Sequence, residues 1–262
     1  TVIDLLLDTA PDTASQPVNN GRLALHMAAR ECASNATLVV QRLAQMAHGP
    51  NNEGGNSTSQ LVTATGMTVL HYVAAAASFV KLQFDALLAL RKDDVKAKDS
   101  NGWLPLHWVA WRASGVLAVD VVHDSNPGAV IQQNFAGETP LHLAALMDRD
   151  PSSQTVKRLI DLDPGAAQIV SKDGAVALHR AVFNQGDAAA QVVSLVVAAH
   201  PEACMSGDKD GNSPLHLAAR LRRHQPPKSG SKNSAGVFMK LGEDKTSLYC
   251  GRRLGRKAMG IK

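Results

Sequence analysis

Aromatic residues make up only 4% of this 262-residue chain. That scarcity excludes a core built on large rings. Leucine and alanine recur instead, and small side chains at short intervals suit helices that approach closely, so the composition points to an all-α protein. No run of about 18 apolar residues occurs, which excludes an apolar membrane-spanning helix. Cysteine is scarce too: Cys32, Cys204 and Cys250 are odd in number and widely spaced. They form neither a disulfide framework nor a zinc pattern, and such usage suits a reducing compartment. Two short glycosylation-type matches begin at Asn35 and Asn56, but they carry no weight without a secretory signal.

Catalytic signatures are missing as well. The chain contains no G-x-S-x-G, no H-E-x-x-H and no G-x-x-x-x-G-K-[ST], and no acid pair stands in a supporting pattern. The expectation is a protein with no catalytic residues, no cofactor and no metal.

Charge is unevenly placed. Residues 220–262 hold 12 Lys/Arg against 2 Asp/Glu, a local net of +10 within a total of +4. The remaining 219 residues carry 15 basic and 21 acidic side chains, a net of −6. An acidic body therefore bears a basic tail. The run Arg252-Arg253-Leu254-Gly255-Arg256-Lys257 suits a nuclear-import signal or a nucleic-acid contact. The Lys, Ser, Gly and Pro before it equally suit a disordered, solvated tail, or one that folds back on the acidic body.

What is abundant is repetition. Six segments share one pattern: GRLALHMAA from Gly21, GMTVLHYVA from Gly66, GWLPLHWVA from Gly102, GETPLHLAA from Gly137, GAVALHRAV from Gly174 and GNSPLHLAA from Gly211. The glycines are 45, 36, 35, 37 and 37 residues apart. Histidine follows at one offset each time, at His26, His71, His107, His142, His179 and His216. Thr68, Thr139 and Ser213 stand where a hydroxyl can cap a helix, with Pro105, Pro140 and Pro214 at first helical positions. Leu23, Leu104 and Val176 replace the capping residue, which predicts starts weaker by about 1 kcal/mol each. A second apolar helix is expected about 14 residues after the histidine, as around Val156–Ile160 and Val192–Val196. Pro11, Pro127, Pro164 and Pro201 each stand ten residues before a glycine and mark the exit from that helix.

The pattern resembles the ankyrin repeat, whose signature is Gly followed by Thr-Pro-Leu-His-x-Ala; Thr139-Pro140-Leu141-His142 and Ser213-Pro214-Leu215-His216 are the closest copies. The resemblance covers about residues 1–219 and implies a helical-repeat solenoid, two antiparallel helices per repeat, joined by hairpin-like fingers. Repeats are expected to start near 20, 65, 101, 136, 173 and 210, the last incomplete, with residues 1–19 as the second half of a truncated repeat. Most copies exceed the family's usual period of about 33 residues, and the excess falls in the turn between the two helices. The 45-residue copy instead carries a long loop over His48–Thr65, rich in Asn, Gly, Ser and Thr. In the resembling family the signature histidine bonds to backbone and steadies the finger.

The resemblance also implies a binding face: finger residues beside the glycine, and positions four and five after the histidine. Copied onto this chain, it selects Met67, Trp103, Trp111, Arg112, Phe135, Glu138, Leu146, Met147 and Phe183. Trp103 and Phe135 are read as exposed finger-tip anchors. Trp111, Leu146, Met147 and Phe183 suit packing between first helices equally well, and Trp108 suits inter-repeat packing. The implied function is a non-catalytic scaffold, monomeric and cytoplasmic, that holds a protein partner on its concave face and fingers. Two alternatives remain: the recognition part of a larger kinase or ubiquitin-ligase enzyme, and nucleic-acid or nuclear-import contact through residues 220–262.

Overall fold

A computed structural model describes residues 9, 16–18, 21–30, 62–76, 81–147, 152–184 and 188–223. Residues 2–7, most of the His48–Thr65 segment, residues 148–151 and 185–187, where the excess length was expected, and those beyond 223 lie outside the described residues. By its contacts the chain divides into Thr1–Leu217 and Ala218–Lys262. The array described below belongs to the first unit; of the second, only residues 218–223 are described.

Among the described residues the structure is helical, with no β-strand beyond a single bridge between Val18 and Arg22. The helices bounded within the described residues are α1 (Ala24–Arg30), α2 (Val69–Ala74), α3 (Lys81–Leu90), α4 (Pro105–Arg112), α5 (Val116–Ser125), α6 (Pro140–Leu146), α7 (Ser152–Leu162), α8 (Ala177–Ala181), α9 (Ala189–Ala199) and α10 (Pro214–Arg223). They form two rows. In one, α1, α2, α4, α6 and α8 pack in succession; in the other, α3, α5, α7 and α9 do so. No described helix is long and apolar enough to cross a membrane.

Packing explains why the sequence recurs. Ala29, Ala74, Ala110 and Ala145 each lie three residues after a signature histidine and are fully buried. Residues three apart share a helix face, so a methyl-sized side chain there lets the next helix of the row come close. The leucine before the histidine is buried at Leu25, Leu70, Leu106, Leu141 and Leu178, each worth about 2 kcal/mol in removing apolar surface from water.

The exit prolines do more than stop a helix. Pro127, Pro164 and Pro201 open short 3-10 helices, Pro127–Val130, Pro164–Gln168 and Pro201–Met205. Proline's fixed φ and missing N–H suit a first helical turn. Lys92–Lys96 adopts the same turn without a proline.

Candidate functional site

Each described finger is a tight turn closed by two backbone bonds. In the fourth copy, Asn134 N donates to Glu138 O at 2.9 Å and Gly137 N to Asn134 O at 3.0 Å. The same pair recurs at Val18/Arg22, Thr63/Met67, Asp99/Trp103, Ser171/Ala175 and Asp208/Asn212. Asn134 Oδ1 also accepts from the amides of Ala136 (2.8 Å) and Glu138 (2.9 Å). The carboxylates of Asp99 and Asp208 do likewise. A short oxygen-bearing side chain three residues before the glycine thus supports five of the six fingers, whereas the first makes the same two backbone bonds with Val18 in that place. It was legible in advance, since Thr63, Asp99, Asn134, Ser171 and Asp208 share that place.

Successive fingers are joined by one further backbone bond. Ser100 N donates to Thr65 O (2.9 Å), Phe135 N to Asn101 O (3.0 Å), Lys172 N to Ala136 O (2.9 Å) and Lys209 N to Asp173 O (2.9 Å). The glycine makes this approach possible. At Gly137, φ is +78°, and a β-carbon there would lie 2.5 Å from Lys172 N. Only glycine meets both conditions.

The signature histidines tie the helices to these fingers. The amides of Leu23, Thr68, Leu104, Thr139, Val176 and Ser213 each donate to Nδ1 of the histidine three residues on, at 3.1–3.2 Å. An amide can only donate, so Nδ1 holds a lone pair and the proton sits on Nε2. That Nε2–H donates across to the next finger: His71 to Trp103 O (2.9 Å), His107 to Glu138 O (3.2 Å), His142 to Ala175 O (3.2 Å) and His179 to Asn212 O (3.0 Å). Both ring nitrogens of these four are thus committed to backbone, which leaves no lone pair for a metal. Among the described residues, no group of three or more His, Cys, Asp or Glu could hold a metal ion.

This arrangement corrects the expected capping. The hydroxyls of Thr68, Thr139 and Ser213 lie 2.8–2.9 Å from histidine Nδ1 instead of capping the helix amides. Because the cap amide bonds to the histidine whatever the cap residue is, Leu23, Leu104 and Val176 make the same bond as the threonines. Burial pushes His107 down to about 3 and His142 down to about 4, and it lowers His71 too, against the opposing pull of their backbone bonds.

His216 differs. It and Leu215 (75% exposed) stand open, whereas the equivalent leucines and histidines of the earlier copies are buried.

The structure also corrects the exposure expected at positions following the glycine. Trp103 is only 5% exposed; its ring packs on Trp108 (centroids 5.0 Å apart) and Trp111 (5.7 Å). Trp108 Nε1–H in turn donates to the Asp99 carboxylate at 3.2 Å. Glu138 is fully buried: Arg180 Nε donates to its carboxylate at 2.9 Å and Arg180 Nη2 to Asp173 at 2.6 Å. Met67 is half-buried against the core. The chain reverses at the glycine, so the following side chain enters the array while the one two residues before it faces out. Phe135, at that outward place, is 60% exposed, as expected of a finger tip.

Trp111, Arg112, Leu146, Met147 and Phe183 are half-buried at the ends of first-row helices. Asn184 Nδ2 binds the carbonyl of Met147 (2.5 Å), which brings Phe183's neighbour to the end of α6. The repeat pattern does not reveal the Arg180–Glu138–Asp173 network, in which Glu138 is fully buried and Asp173 partly exposed. Burial opposes ionisation of Asp173, yet the Arg180 guanidinium and the Ser171 hydroxyl hold its carboxyl below the ordinary range.

No family model matches this sequence, and no curated protein matches it significantly.

Proposed function

We propose that this chain is an ankyrin-type repeat module that binds a protein partner through its fingers and first-row helix ends and carries out no catalysis itself. The observation that supports it best is the row of linked fingers, which sets Phe135 outward on a backbone held by bonds before and after it. A large exposed aromatic ring on a pre-ordered support loses little freedom when a partner covers it, and such a residue makes a binding anchor. The commitment of the signature histidines to backbone favours a structural role for them over a chemical one. Cys204 is an exposed, unpaired thiol, which suits the cytoplasm proposed for the chain.

The test is affinity capture from a cell extract with the native chain and a Phe135→Ala variant whose helicity is checked by circular dichroism. Trp103→Ala would be the wrong probe, because that ring is packing. Proteins held by the native chain and lost by the folded variant are the expected result. Capture that is indifferent to Phe135 would overturn the finger as the binding place.

A further inference from the structure

The outer side of the fingers has a chemistry of its own. Alternate residues of an extended segment share one side, and in the arms before Gly102, Gly137, Gly174 and Gly211 the residues two and four before the glycine are the outward ones. In the first of these rows Ser100, Phe135, Lys172 and Lys209 are joined finger to finger by the backbone bonds described above. Phe135 is held over the preceding finger: a β-carbon at Gly102 would lie 2.7 Å from its ring. In the second row, Lys98 Nζ reaches the Gln133 carbonyl (3.4 Å), and Gln133 Nε2 donates to Val170 O (2.9 Å). The two rows thus bring two exposed apolar side chains, Phe135 at 60% and Val170 at 52%, among the exposed ammonium groups of Lys98, Lys172 and Lys209.

Carboxylates near these lysines are mostly engaged elsewhere. Asp99 is buried beneath its finger, Asp208 caps the last finger, and Asp173 is bound by Arg180 and Ser171. Among the described residues of these arms, Asp210 is exposed, and the Asp173 side chain, 43% exposed, is held by Arg180 and Ser171. This basic strip contrasts with residues 1–219, whose net charge is −6.

We infer that the outer finger strip docks an extended acidic segment of a partner protein, with apolar side chains seated on Phe135 and Val170 and carboxylates facing Lys98, Lys172 and Lys209. The inference rests on the protein-binding reading above and names the partner's chemistry. Complementary charge steers such a segment to the strip and sets its register, and the apolar contacts hold it there.

A display library of random dodecapeptides, selected on the full chain, tests it. Selected peptides are expected to be rich in Asp and Glu with interspersed Leu, Phe or Met. Their affinity is expected to fall about tenfold for Phe135→Ala and about tenfold for the folded triple variant Lys98→Gln/Lys172→Gln/Lys209→Gln. It is also expected to weaken as salt rises. All variants keep the basic tail, so acidic peptides bound equally by the triple variant are tail ligands and overturn the proposal. Peptides without an acidic excess that are lost on Phe135→Ala overturn the acidic assignment and leave finger docking standing. If no peptide is selected, the proposal fails. If extract capture is then also indifferent to Phe135, the broader finger-binding reading fails with it.

Discussion

His142 links two copies of the repeat: the Thr139 amide donates to its Nδ1 (3.2 Å), and its Nε2–H donates to the carbonyl of Ala175, 33 residues further along the chain (3.2 Å). The histidine starts its own helix and holds the following finger with the same ring. Neutrality is essential to the arrangement, because a protonated Nδ1 could not accept the Thr139 amide.

Acid should therefore loosen the array. Both His107 and His142 are depressed in the folded state, to about 3 and about 4, from an ordinary value of 6.5. Their contribution is fully present above pH 6.5, where both folded and unfolded chains keep them neutral. As pH falls below 6.5 the unfolded chain takes up protons and the folded chain does not, so stability is lost down to the folded values. Each histidine is expected to cost about 2 kcal/mol between pH 6.5 and 5. Urea unfolding at the two pH values measures it, and a midpoint unchanged at pH 5 would count against the burial described.

Substitution should separate the inner histidines from the last. His142→Ala leaves a buried amide and a buried carbonyl without partners and is expected to destabilise by about 2–4 kcal/mol. His216→Ala removes a solvent-exposed ring and is expected to stay within about 0.5 kcal/mol. Chemical denaturation of both variants checks the difference; equal losses would mean that the motif, and not its packing, sets the effect.

The glycines offer a matched pair. Gly137 and Gly211 have nearly the same φ, +78° and +76°, but a β-carbon at Gly137 meets Lys172 N at 2.5 Å, whereas at Gly211 nothing lies within 4 Å. Gly211→Ala is expected to cost about 1 kcal/mol, the left-handed strain alone. Gly137→Ala is expected to cost at least about 1 kcal/mol more, because the next finger must move. Thermal melts of the two variants measure the gap.

One strained position invites stabilisation. Ala113 ends α4 in the left-handed region (φ 52°, ψ 48°), where its amide and that of Ser114 close the helix. Ala113→Gly keeps those bonds and removes the β-carbon clash, and is expected to raise stability by about 0.5–1 kcal/mol. A lowered melting temperature would show that the residue is not held as described.

Among the described residues, the all-α class and the starts of the first-row helices were legible in the sequence, because glycine, proline and histidine each mark a backbone geometry that few other residues satisfy. The prolines at 127, 164 and 201 marked the helix exits, although the 3-10 turns they open were not foreseen. Side-chain direction at the finger was harder to read. Trp103 and Glu138 directly follow the glycine and Phe135 stands two before it, but a residue's side of a tight turn depends on which backbone groups bond across it, and spacing does not reveal that. The Arg180–Glu138–Asp173 network was hidden for another reason: its members come from neighbouring copies, 42 and 7 residues apart. Only the stacking of one finger against the next first-row helix brings them together.

The most direct test of the histidine linkage is the tautomer and charge of each signature ring, read from imidazole 15N shifts between pH 7 and 5. His107 and His142 are expected to remain neutral at pH 5 with the proton on Nε2. Titration of either near pH 6.5, or a proton on Nδ1, would contradict the bond from each histidine to the finger that follows it.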